Sequence, residues 1–168
     1  AEVAPGVFSI VVTTTAGGGT LALEVPAGAT ITDVAGNALS VPVVDGDTIT
    51  VDGVDPTLIS ITDTDADDAV TVGGTVQYTI TFSEDIDATS VSLADFDNAG
   101  SATVVFDGLE EVSAGVFKLS ATVTSTGTLQ LRIPTTATIT DVAGNALDVS
   151  TAITDGETLT APGAVDLS

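Results

Sequence analysis

Hydrophobic and polar residues alternate along much of this chain with a period of two. Val76, Tyr78, Ile80 and Phe82 interleave with Thr75, Gln77, Thr79 and Thr81. Side chains alternate across a strand, so this pattern predicts a half-buried β-strand. Phe117, Leu119, Ala121 and Val123 predict a second, and Leu129, Leu131 and Ile133 a third. Abundant Thr and Val suit a pleated surface. Turn clusters such as Gly73-Gly74, Asp97-Asn98-Ala99-Gly100 and Thr126-Gly127 punctuate the runs. No stretch carries a helical period. The predicted strands are 57–62, 75–82, 91–96, 102–107, 116–124, 128–133 and 157–161. About seven short strands in one unit argue for an all-β sandwich of antiparallel sheets.

The pattern also repeats. Residues 29–39 and 137–147 both read ATITDVAGNAL, 108 positions apart. Over residues 20–39 and 128–147, fifteen of twenty positions are identical. Gly6-Val7-Phe8 matches Gly115-Val116-Phe117, and Asp45-Gly46-Asp47 matches Asp155-Gly156-Glu157. The offset drifts only from 108 to 110, a length typical of one domain. Residues 1–54 therefore read as the C-terminal half of one repeat and 55–161 as a complete repeat. Residues 162–168 read as a linker or the start of the next. The chain looks cut from a tandem array. A lone half-sandwich would leave strand edges and core uncovered. Either its first half has been lost or a neighbouring chain supplies it.

Charge changes the picture next. Twenty-four Asp and Glu face two cations, Lys118 and Arg132, for a net charge of −22. Such a chain repels nucleic acid and anionic membrane, and no apolar run is long enough to span a bilayer. Residues 1–15 lack the basic start and apolar block of a secretory leader. Self-repulsion opposes compaction, and either divalent cations or simple solubility accounts for the acidity. The chain has no Cys and no His. This excludes disulfides, thiolate metal sites, histidine acid/base chemistry and the usual zinc centres. An Asp/Glu pair suffices for glycoside hydrolysis. Here, however, the carboxylates recur in turns and no substrate cleft is suggested, so the chain reads as no enzyme.

The complete copy carries an ordered set of motifs. It runs Val76-Gln77-Tyr78-Thr79-Ile80-Thr81-Phe82-Ser83-Glu84, Ala94-Asp95-Phe96, Gly127-Thr128-Leu129-Gln130-Leu131 and Thr140-Asp141-Val142-Ala143-Gly144-Asn145-Ala146-Leu147. This set resembles the bacterial Ig-like tandem repeats of giant surface adhesins, biofilm-associated proteins and S-layer-type proteins. The resemblance implies an Ig-like Greek-key β-sandwich, an extracellular cell-surface location, a stalk-like structural role and often bound calcium.

Antiparallel bookkeeping places the acidic loops of the complete copy. Loops 83–90, 108–115 and 134–156 fall at the pole where the copy begins, and loops 63–74, 97–101 and 125–127 at the far pole. Asp52, Asp55, Glu84, Asp85, Asp87, Asp141 and Asn145 should then meet at the near pole, where calcium's 6–8 oxygen ligands are available. The alternative is a set of solvated Asx-turns. Asp63-Thr64-Asp65-Ala66-Asp67-Asp68 begins like an EF-hand loop. It departs at position six, Asp68 in place of Gly, and at position twelve, Gly74 in place of Glu. Asp63, Asp65 and Asp67 either ligate a cation or form a solvated hairpin tip. Asp33 with Asn37 and Asp141 with Asn145 either cap their own turns or hold metal. Asp95 reads as a cap beside Phe96, and Asp107, Glu110 and Glu111 as a solvated loop.

These readings favour a structural module stiffened by calcium at its inter-domain loops, with neighbouring Ig-like repeats of the same or an identical chain as partners. The alternatives are an adhesive ligand-binding module and a self-assembling filament subunit completed by a neighbouring chain.

Overall fold

The computed structural model of the chain describes residues 1–15, 17–65 and 68–163. The chain divides into two units, Ala1–Val54 and Asp55–Ser168. The first unit contains β1 (Glu2–Ala4), β2 (Val7–Phe8), β3 (Gly19–Leu21), β4 (Glu24–Val25), β5 (Val43–Val44) and β6 (Ile49–Val51). They pair antiparallel as β1–β2, β3–β6 and β4–β5.

The second unit is a β-sandwich. Its strands are β7 (Leu58–Asp63), β8 (Thr75–Phe82), β9 (Asp97–Asn98), β10 (Val104–Ser113), β11 (Val116–Val123), β12 (Gly127–Leu129), β13 (Leu131–Ile133), β14 (Ile153–Thr154) and β15 (Leu159–Ala161). One face is the four-stranded sheet β10-β11-β8-β7. The opposing layer is built from the β12–β15 pair and the β14-β13-β9 sheet. The chain crosses between layers so that β8 pairs with β11 and not with its successor.

The period-two alternation produces the core directly. Val76, Tyr78, Ile80 and Phe82 point inward from β8, and Phe117, Leu119, Ala121 and Val123 from β11. Leu129, Leu131, Ile133, Ile139, Leu147 and Leu159 meet them from the other layer. Phe82 and Phe117 stack edge to face with ring centroids 6.0 Å apart, a favoured aromatic geometry.

The sandwich departs from the predicted strands in four places. Residues 91–96 are not a strand. Ser92 and Asp95 form a capping box around one 3-10 turn, Leu93–Asp95, and β9 follows it. The strand predicted at 102–107 continues to Ser113, so Glu110 and Glu111 lie on β10 and not in a loop. Glu110 sits opposite Lys118 there. The run 128–133 breaks at Gln130 into β12 and β13, because its strands pair with different partners. Last, β14 adds a short strand before the predicted 157–161.

The local pairings of β12 to β15 recur in the first unit. Gly127 opposite Ala161 and Leu129 opposite Leu159 correspond to Gly19 opposite Val51 and Leu21 opposite Ile49. The β1–β2 hairpin, Glu2 opposite Phe8, corresponds to the end of β10–β11, Glu111 opposite Phe117. What differs is cover. Leu131, Ile139 and Leu159 are 0%, 2% and 1% exposed, whereas their counterparts Leu23, Ile31 and Ile49 are 48%, 47% and 63% exposed. Among the described residues of the first unit, the apolar positions that correspond to the core of the second are exposed.

Candidate cation-binding loops

At one end of the second unit, three segments are tied together by backbone. Thr57 and Ser83 exchange hydrogen bonds, Thr57 N to Ser83 Oγ at 2.9 Å and Ser83 N to Thr57 O at 2.8 Å. Asp87 N donates to Thr140 O at 2.9 Å, and Ile86 bridges Asp141. The tip of the β10–β11 hairpin closes the same end. Gly115, with φ 67°, accepts from Phe82 N at 2.8 Å, and a Cβ at Gly115 would collide with the Glu84 carbonyl. These constraints aim Glu84 and Asp141 at each other. A carboxylate oxygen of each lies within 4.8 Å of the other.

Asp141 organises its own turn. Its Oδ1 accepts from Ala143 N and Asn145 N, both at 2.8 Å, and its Oδ2 from Asn145 Nδ2 at 2.7 Å. It is 1% exposed. Burial pushes its carboxyl up, but the bonds from the Asn145 side chain and from the N–H groups of Asn145, Ala143 and Gly144 outweigh it. The net effect holds Asp141 below the usual carboxylate range. Asp33 makes the same turn in the exposed setting of the first unit, with Asn37 N and Nδ2 each at 2.7 Å. Its pKa is lowered chiefly by the Asn37 side chain.

The remaining near-pole residues divide. Asp87 is spent on a local turn. Its Oδ1 accepts from Thr89 N at 2.9 Å and Thr89 Oγ1 at 2.7 Å, and the Thr89 hydroxyl holds its pKa down. Asp85 and Asp55 are exposed, and Asp55 enters two residues before the Thr57–Ser83 link.

Elsewhere in the unit, Asp63 ends β7 directly across from Tyr78 of β8. Residues paired across strands share a face, so the Asp63 side chain joins Tyr78 on the core side. Asp65 N donates to Asp63 Oδ1 at 2.7 Å. Asp155 lies just after β14, 6% exposed, with its N bonded to Leu131 O at 2.8 Å. Burial raises its carboxyl, and the Asp63 charge adds to this. Asp67 lies outside the described residues, as do residues 164–168 of the predicted linker.

Sequence reasoning therefore named Glu84 and Asp141, which the fold brings together. It missed the burial of Asp155, whose Asp-Gly-Glu setting reads as an ordinary turn. Asp95 does cap, as its position beside Phe96 suggested: it accepts from Ser92 N and Oγ and from Thr138 N at 2.8–2.9 Å. The bidentate pair of Arg132 with Asp97, both contacts 2.7 Å, was not foreseen. It is half-exposed and ties β13 to β9. The repeat places Glu24 at the position of Arg132, so this bond is particular to the second unit.

A family model described as a bacterial Ig-like domain matches residues 52–155, more than half of the chain. No curated protein and no solved structure matches it. Bacterial Ig-like domains are non-catalytic structural modules that typically occur in surface proteins. Its sandwich, its repeated turn and this match agree: the chain belongs to the bacterial Ig-like domain family.

Proposed function

We propose that the chain is a structural module of an extracellular bacterial surface protein, in a fibre, adhesin stalk or S-layer, stiffened by calcium at its acidic loops. The observation that carries this reading is the approach of Glu84 and Asp141 to within 4.8 Å on loops fixed by backbone bonds. Two carboxylates this close repel each other unless a cation or a proton intervenes. Calcium takes 6–8 oxygens, and Asp55, Asp85 and the loop carbonyls supply further candidates nearby. Calcium at ten times its Kd should raise stability by about 1.4 kcal/mol. Calorimetric melting in calcium and in chelator measures this. The rise should shrink in Glu84→Gln. An identical melting temperature in both conditions would remove calcium from the proposal.

A second observation concerns assembly. In the first unit an apolar groove of about 350 Å³ is lined by Ile10, Val12, Leu21, Leu23, Asp45 and Ile49. By repeat offset these correspond to Leu119, Ala121, Leu129, Leu131, Asp155 and Leu159, the buried inner face of the second unit. There the space is filled from β7 and β8. We infer that the groove takes a first-half segment of the same repeat type, carrying alternating apolar residues as β8 does. A second copy of the chain is a poor donor. Its own β7 and β8 are already packed, and withdrawing them bares one half-sandwich for each one covered. A peptide of residues 55–108 should perturb the amide spectrum of the labelled chain at residues 1–54 and spare 55–163. Perturbation confined to 55–163, or none, would refute this completion.

A further inference from the structure

Every named strand pairing in the second unit is antiparallel. One short contact among the described residues is parallel. Ala69 bridges Thr160 of β15, where Thr160 N donates to Asp68 O at 2.8 Å and Val70 N donates to Thr160 O at 3.0 Å. Segment 68–70 follows β7, the unit's first strand, and β15 is its last. The contact therefore joins the entry and the exit of the unit's chain directly. β7 and β15 also run in the same sense. β7 is antiparallel to β8, and β8 to β11. β11 turns back through residues 124–126 into β12, which is antiparallel to β15. The chain thus enters the sandwich at one end and leaves it at the other.

Direction decides what tension does to these bonds. A pull on the unit's two ends drags 68–70 backward along its own axis and β15 forward along its axis. Both bonds are then strained together and must fail together. Strands pulled apart from one shared end lose their bonds in turn. Place in the chain matters as much. Unravelling from the N-terminal side strips β7 from β8 and then 68–70 from β15. Unravelling from the C-terminal side strips β15 from β12 and from 68–70. Either route has to break the same contact.

We propose that 68–70 and β15 form a mechanical latch, which sets how strongly the second unit resists stretching along its strands. The latch rests on the reading of the chain as a structural module under tension, and it needs no bound ion. Its surroundings hold it in place. Val70 is 6% exposed and anchors the segment in the core. Just beyond, Gly73 N donates to Val123 O at 2.7 Å and Val123 N to Gly74 O at 3.0 Å. Ala69 and Thr160 are themselves exposed, so backbone bonds make the contact and side-chain packing does not. In the first unit Thr50 of β6 stands where Thr160 does, and among the described residues β6 pairs with β3 alone. The latch is particular to the second unit.

The chain has no Cys, so pulling handles can be attached at chosen sites. The full chain, tethered through Val54→Cys and Gly163→Cys in chelator, is pulled along its strands. It should hold at constant force and then lengthen in one step, by on the order of 300 Å for roughly one hundred residues. A Cβ at Gly163 meets only Thr126 Cγ2 within 4 Å, at 3.8 Å, so the handle is accommodated. Tethered instead through Thr126→Cys and Gly163→Cys, the chain is peeled, because Gly127 and Ala161 lie opposite each other at that end. Forced opening is governed by the unfolding rate. At equal force the peeled tether should open about a hundredfold faster, since two bonds worth about tenfold each break in turn and not together. Thr160 N and O both face 68–70, so β15 bonds β12 through Leu159 and Ala161. Thr160→Pro should therefore remove one latch bond and speed the lengthwise tether about tenfold. Val91→Ala, buried but away from both routes, should lower the melting temperature yet change that rate by less than about threefold. Equal opening rates in the two tethers overturn the latch, as does an acceleration by Thr160→Pro no larger than that of Val91→Ala. The tether comparison stands even if Thr160→Pro does not fold. With no calcium present, failure here leaves the calcium reading intact, and failure of calcium to raise the melting temperature leaves the latch intact.

Discussion

Leu131→Ala should destabilise the sandwich by about 3–5 kcal/mol. Leu23→Ala, the same substitution one repeat earlier, should shift stability by less than about 0.5 kcal/mol. The two leucines share a local sequence, a place at the start of equivalent strand segments (Leu131 opens β13, Leu23 directly precedes β4) and, by counterpart, the bond from Asp155 N or Asp45 N to their carbonyls. Only their surroundings differ. Leu131 is 0% exposed and packs into the cluster with Leu119, Leu129 and Ile133, so truncation leaves a cavity that a rigid two-layer core closes poorly. Leu23 is 48% exposed and lines an open groove, so its truncation removes little buried contact. Denaturant unfolding followed by Tyr78 fluorescence, with circular dichroism for the first unit, measures both. A cost above about 1 kcal/mol for Leu23→Ala would mean that the groove is already filled in solution. In the open groove expected here, the same substitution should become expensive only once the 55–108 peptide is present to fill it.

The sequence made the sandwich legible where its strands have one wet and one dry face. The alternations at 75–82 and 116–124 match β8 and β11 almost residue for residue, because both strands are central and must bury every second side chain. It failed at the sheet edge. The second half of β10, with Gly108, Glu110 and Glu111, has one partner strand and two irregularities in register, and its polar composition looks like a loop. It failed again at 91–96, where Val91 and Phe96 are both buried although residues five apart in a strand would face opposite sides. There the Ser92–Asp95 box satisfies the backbone locally and turns the chain. The acidic loops were legible as candidates but not as partners. Asp87 and Glu84 sit three residues apart in equally acidic sequence, yet one closes a turn on Thr89 and the other meets Asp141 across 57 positions of chain. Asp155 was hidden for a related reason: its burial comes from long-range packing, and nothing in Asp-Gly-Glu announces it.

Asp141→Ala should cost about 3 kcal/mol in chelator, and more than that in calcium if Asp141 also holds the ion. It removes a charged acceptor that collects three short bonds in a buried turn. Asp141→Asn is the informative partner, since Asn also forms Asx-turns. If Asp141 only caps, the amide should recover most of the loss and leave any calcium response intact. If Asp141 also holds the ion with Glu84, the turn should recover but the calcium-dependent rise in melting temperature should fall. Acid gives a second view of the same bonds. Because the folded Asp141 carboxyl is held below its usual value, its contribution is complete above the unfolded value of about 4. It is lost as pH falls from there through the lowered folded value. Asp87 and Asp148, whose pKa values are also lowered, act in the same direction. Asp155 acts oppositely, because its raised pKa means that protonation relieves a cost of folding. The parent should therefore lose stability below about pH 4, and Asp141→Asn should lose less over the same range, since its turn no longer depends on a charge. An unchanged acid slope in Asp141→Asn would show that the carboxylate adds nothing beyond what an amide supplies. With the calcium response of Asp141→Asn also intact, the repeated Asp-Val-Ala-Gly-Asn turn would be a structural cap and no part of a cation site.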